Sequence, residues 1–86
     1  MVTVKKFWSE TCGPCSALAP TIEDIKRQFR SVSFQDININ NDFETAQRYG
    51  VRSIPLVIIE KDGQEIGRIL GNQPASAYIS KLQQAS

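Results

Sequence analysis

The quartet Cys12-Gly13-Pro14-Cys15 sits between a strand-like run and a helical pattern, and it constrains the chain more than any other segment. Two cysteines this close in sequence can meet only if the backbone between them turns, and the first turn of a helix supplies such a turn. The flanking residues agree. Val2–Trp8 alternates as a strand, with Val2, Val4, Lys6 and Trp8 on one face and Thr3, Lys5 and Phe7 on the other. Ser9–Pro14 is a turn marked by Gly13-Pro14. Cys15, Leu18, Ile22, Ile25 and Phe29 then recur three and four apart, which predicts an amphipathic helix from about Cys12 to Arg30. Pro20 falls inside this stripe and predicts a kink rather than a break, because the stripe continues through it. Glu23 and Arg27, four apart with the acid first, are expected to pair on the exposed side.

Val32–Ile39 reads as a second strand. Asn40-Asn41-Asp42 offers a turn and an N-cap for a short helix, Phe43–Tyr49, with Gly50 at its left-handed C-terminal position. Leu56–Ile59 follows Pro55 and is apolar enough for a central strand. Asp62-Gly63 is a hairpin signal. Glu65–Leu70 is the partner strand, and Gly71 ends it. Pro74 suits the first turn of a last helix, with Ala75, Tyr78, Ile79 and Leu82 on its buried stripe. The order β-α-β-α-β-β-α predicts one α/β domain over residues 1–86, a four-stranded mixed sheet flanked by helices.

Composition excludes several function classes. A net charge of +1 supplies no electrostatic basis for binding nucleic acid or an anionic membrane. The longest apolar run, Leu56–Ile59, is far too short to span a bilayer. Met1–Lys6 has no apolar stretch after its lysines, so it does not read as a secretory signal. A reducing, cytoplasmic compartment is therefore expected, where a cysteine pair is catalytic or metal-binding more often than structural.

Thiol–disulfide exchange requires a thiolate and a second thiol that can reach it. Cys12, at a helix N-terminus, would face free backbone N–H groups and the positive end of the helix dipole, both of which favour a negative sulfur. Cys15, one turn later on the apolar stripe, would be more buried and would act as the resolving thiol. A zinc site needs four ligands, usually Cys or His. With no His and no third Cys, such a site would require a second subunit. A purely structural disulfide across so small a ring removes little unfolded-chain entropy.

Phe7-Trp8-Ser9-Glu10-Thr11-Cys12-Gly13-Pro14-Cys15 resembles the active-site segment of thioredoxins. So do Pro20, the run Tyr49-Gly50-Val51-Arg52-Ser53-Ile54-Pro55, Asp62-Gly63 and Gly71, and these landmarks cover nearly the whole chain. The resemblance implies a minimal thioredoxin fold that lacks the family's opening strand and helix. It implies that Trp8 packs beside the active site, although Trp8 also suits simple core packing. It implies a cis Ile54-Pro55 bond facing the disulfide, whose backbone pairs with an extended substrate segment, and it puts Gly71 near that groove. No cofactor is expected in the chain. Electrons would come from NADPH through a flavin-dependent thioredoxin reductase. Clients would be of the ribonucleotide reductase, peroxiredoxin and methionine sulfoxide reductase types, and the chain would act as a monomer.

Two positions depart from the family. Lys6 stands where thioredoxins usually carry a buried aspartate, and Asp36 where they usually carry a lysine. A partly buried Lys6–Asp36 pair across adjacent strands is expected, with Lys6 able to stabilise a thiolate as a cation or to reach out to solvent. Lys5 is expected on a face left uncovered by the missing helix. Thr11 and Ser16 replace a common tryptophan and a common lysine, which changes the contact surface. Two other functions compete with a general dithiol reductant. One is glutaredoxin-like use of glutathione, against which stand Gly13-Pro14 and the Asn72-Gln73-Pro74 stretch. The other is a non-enzymatic docking module, such as a polymerase accessory protein.

Overall fold

The computed structural model describes residues 1–85. Its elements are β1 (Val2–Trp8), α1 (Gly13–Gln28), β2 (Ser33–Asn38), α2 (Phe43–Arg48), β3 (Leu56–Lys61), β4 (Gln64–Leu70) and α3 (Ala75–Ala85). The predicted order of elements holds, with ends shifted by one or two residues. The strands form one sheet in the order β2-β1-β3-β4, with β1 parallel to β2 and the other neighbours antiparallel.

Alternation along the two inner strands builds a core on each face of the sheet. Val4, Val57 and Ile59 point to one face, where Leu18, Ile22 and Ile25 of α1 and Tyr78 and Leu82 of α3 cover them. Phe7, Leu56 and Ile58 point to the other, where Ala46 of α2 and the partly buried Ile37, Tyr49 and Ile54 pack. The helices therefore form two layers, with α1 and α3 on one side and α2 on the other.

The turns follow from local chemistry. Asp62 and Gly63 both have positive φ, 53° and 84°, which the tight β3–β4 hairpin requires. Gly50 (φ 66°) lets the chain leave α2 after its C-cap, Tyr49. Asp42 caps α2, its side chain accepting from the Thr45 N–H at 3.2 Å. Pro20 lies within a single uninterrupted α1 and is exposed, so its missing N–H removes one bond on the solvent side. The expected Glu23–Arg27 pair does not form. Lys26 bonds to Glu23 at 3.0 Å and Arg27 to Asp24, both three residues apart, so Arg27 is engaged by the nearer carboxylate.

Ile22 is 2% exposed and sits at the centre of the α1 layer. Ile22→Ala is expected to lower stability by about 2–5 kcal/mol with an unchanged dependence on denaturant, measured by urea unfolding.

Candidate active site

β1 ends at Trp8, and a short turn carries the chain from there into α1. Cys12 is the N-cap of α1, with extended backbone (φ −99°, ψ 104°). Pro14 occupies the first helical turn, where its missing N–H costs nothing. Cys12 and Cys15 are joined in a disulfide, with Cα atoms 5.2 Å apart. The Cys15 backbone N–H donates to Cys12 Sγ at 3.1 Å, so an N–H of the first helical turn already points at this sulfur. No acidic side chain stands in the first turn of α1 to oppose negative charge there. Cys15 is 5% exposed, whereas Cys12 is only half-buried, so Cys12 is the more accessible of the two sulfurs. Gly13 is exposed, and a Cβ added there would meet nothing within 4 Å.

Behind the disulfide, Lys6, Trp8, Cys15, Ser16, Glu23 and Asp36 line a common cavity of about 270 Å³. Lys6 and Asp36 are register partners across β1 and β2, and Lys6 Nζ lies 3.4 Å from Asp36 Oδ1. The Lys6 side chain is 10% exposed and that of Asp36 46%, so the cation is buried and its partner faces water. Trp8 is half-buried in this wall, and its indole N–H has no hydrogen-bond partner.

Ile54-Pro55 is a cis peptide bond and Pro55 is buried. Pro55 and Gly71 are brought together, the Gly71 N–H donating to the Pro55 carbonyl at 2.8 Å. Gly71 has φ 85°, where a side chain would be strained. The Tyr78 hydroxyl fixes this turn from beneath: it donates to the Gly71 carbonyl at 2.9 Å and accepts from the Gln73 N–H at 3.2 Å. Burial raises the Tyr78 hydroxyl's pKa, which keeps it a donor.

The chain matches the family model described as Thioredoxin over residues 1–84. The chain belongs to the thioredoxin family. It is 38% identical to a thioredoxin of Chlamydia caviae over 93% of its own length and 78% of that protein, and 36% identical to one of Synechocystis over 90% and 73%. The crystal structure of Fasciola hepatica thioredoxin superposes with a TM-score of 0.92 at 26% identity, covering 99% of this chain and 81% of that one. Family membership and the Cys12–Cys15 disulfide make the chain a protein thiol–disulfide oxidoreductase, the class of thioredoxins. Its general partners are those of the family, a thioredoxin reductase and disulfide-bearing clients. Among the described residues, no helix is long and apolar enough to cross a membrane, and no three His, Cys, Asp or Glu side chains cluster as metal ligands.

One expectation needs correction. Lys5 is not left uncovered. Its Nζ donates to the Tyr49 hydroxyl at 2.6 Å and lies 3.0 Å from Glu60 Oε1, while the Tyr49 hydroxyl donates to Glu60 Oε2 at 2.5 Å. Tyr49 also packs its ring on Phe7, with centroids 5.7 Å apart. This network buries two charges on the α2 face without leaving either alone. The available signal was alternation, which puts Lys5 and Phe7 of β1 on the same face as Leu56, Ile58 and Glu60 of β3.

The Tyr49 hydroxyl bond, aided by Lys5, holds the Glu60 carboxyl below its ordinary 4.5, and the same hydroxyl, with Glu60, raises Lys5 above 10.5. Glu60 therefore contributes stability that is present above about pH 4.5 and is lost as pH falls through its lower folded value. Lys5 contributes stability that is present below about pH 10.5 and is lost as pH rises through its higher folded value. Glu60→Gln should flatten the acid limb of the stability–pH curve, and Tyr49→Phe should flatten both limbs while costing about 1–3 kcal/mol at neutral pH. Urea midpoints across the pH range check both.

Proposed function

We propose that the chain is a general reductant of protein disulfides working through the Cys12-Gly13-Pro14-Cys15 dithiol. The observation that carries this reading is the half-buried Cys12 sulfur at the start of α1, with the Cys15 N–H directed at it. In the reduced protein these groups favour the Cys12 thiolate, an effect for which thioredoxins are themselves a standard example. That thiolate attacks one sulfur of a client disulfide. A mixed disulfide forms and the client's other sulfur leaves as a thiolate. Cys15, deprotonated in its turn, attacks Cys12 Sγ and releases the second client thiolate. Two electrons pass to the client, and the Cys12–Cys15 disulfide is regenerated for re-reduction by a flavin- and NADPH-dependent reductase.

Ile54, Pro55 and Gly71 form the groove for the extended client segment in this reading. Trp8, Gly13 and Pro14 shape the rim of the disulfide. Suitable clients are ribonucleotide reductase, peroxiredoxin and methionine sulfoxide reductase types, met by a monomer in the cytoplasm.

Cys12→Ser is expected to abolish reduction of insulin disulfides by a thioredoxin reductase and NADPH. Cys15→Ser should instead accumulate the mixed disulfide. Alkylation at neutral pH should modify Cys12 well ahead of an ordinary thiol. Equal alkylation rates, or faster turnover with glutathione than with the reductase, would overturn the assignment.

Lys6 and Asp36 serve this chemistry as positioning residues. Lys6 shares a cavity with Cys15, and a buried cation favours the Cys15 thiolate that must form during resolution. Asp36 offsets that charge. Lys6→Met is therefore expected to raise the Cys15 pKa and slow release of the mixed disulfide severalfold, whereas Asp36→Asn shifts both the opposite way. A merely structural pair would lose stability in both variants and leave the thiol titrations unmoved. Absorbance titration of the reduced protein distinguishes these outcomes.

A further inference from the structure

A second cavity, of about 220 Å³, opens beside the Pro55–Gly71 junction and is lined by Gly50, Arg52, Ser53, Leu56, Arg68 and Leu70. It stands at the same end of the sheet as the disulfide. Leu56 opens β3 and pairs with Phe7 near the end of β1 and with Leu70 at the end of β4. The end of β1 is also the point from which the chain enters the Cys12 turn.

The two arginines of this cavity are not equivalent. Arg68 is spent within the fold: its Nε and Nη2 donate to Glu65 at 2.6 and 2.7 Å, and its Nη1 donates to the Tyr49 carbonyl at 3.1 Å. Its charge is neutralised and its guanidinium serves as a fixed wall. Arg52 is exposed, and among the described residues no carboxylate lies within 4 Å of it. It supplies the cavity's uncompensated positive charge. The apolar side is unusual too, because Leu70 is 55% exposed at the last position of β4. A cation, a hydroxyl from Ser53 and an exposed leucine meeting in one depression fit a side chain with an apolar stem and an anionic head.

We propose that this cavity is a specificity subsite for an acidic side chain, glutamate or aspartate, flanking the reacting cysteine of a client protein. The stem of that residue lies on Leu56 and Leu70, and its carboxylate takes a charge-assisted bond from Arg52. The inference rests on the reductase reading above and adds to it a class of preferred client, one with acid beside its disulfide.

The test uses two disulfide-bonded peptides that differ only in carrying Glu or Gln next to the cysteine, with turnover coupled to a reductase and NADPH. The intact chain is expected to show a kcat/KM for the Glu peptide about two- to tenfold above that for the Gln peptide, expressed in KM and shrinking at high salt. Arg52→Gln should bring that ratio to about one, and Arg52→Glu should invert it. Arg30→Gln, just beyond the far end of α1, should leave it unchanged. Reduction of both peptides without discrimination, or a ratio that survives Arg52→Gln, overturns the subsite while leaving the reductase reading intact. Failure to reduce the Gln peptide at all overturns both.

Discussion

β1 has to fill two cores at once, and the rest of the molecule is arranged around that demand. Within seven residues it sends Val4 into the layer under α1 and α3 and Phe7 into the layer under α2, while pairing with β2 on one side and β3 on the other. A strand held on both edges and both faces has a fixed register, since slipping by one residue would exchange its buried and exposed sets. Fixing β1 fixes the place where Trp8 ends and α1 begins. The helix is then locked from below by Leu18, Ile22 and Ile25, so its N-terminus, and the sulfur that caps it, is set by packing rather than by a flexible loop.

The same strand carries the chain's least ordinary residues. Adjacent lysines at its centre point to opposite faces, so each must be solved separately. Lys5 is absorbed by a closed set of hydrogen bonds with Tyr49 and Glu60, which resembles a structural solution: every partner is used up. Lys6 is treated differently. Among the described residues its one ion pair is the longer contact to Asp36, a carboxylate itself half in water, and with Glu23 it borders the cavity shared with Cys15. Charge that is buried but incompletely cancelled retains a field in its surroundings. The two lysines thus differ in setting: one is closed into a network of partners, the other is left beside the cavity that reaches Cys15.

Much of this was legible in the chain itself. The period of two along β1, the three-and-four spacing of Leu18, Ile22 and Ile25, and the glycines at the helix end and hairpin are local signals, and local backbone physics honours them. The cysteine pair and the Lys6–Asp36 contact were legible too, through motif spacing and resemblance. What escaped was decided across the sheet. Lys5 meets Tyr49 only because α2 folds back over that face. Tyr78 reaches the Gly71 turn only because α3 packs beneath it. The partners of Glu23 and Arg27 changed because competing charges one position closer were available on the same helix. The carboxylate contacts of Arg68 and the freedom of Arg52 likewise depend on side-chain placement that no periodicity encodes.

The tip of the redox loop stands apart from all this packing. Gly13 and Pro14 are exposed, and the space above Gly13 is empty. The dipeptide that separates the sulfurs can therefore be exchanged with little disturbance to either core. A lineage built on this scaffold has room to vary the surface that a partner meets above the sulfurs, one residue at a time, while the domain beneath goes on folding as before.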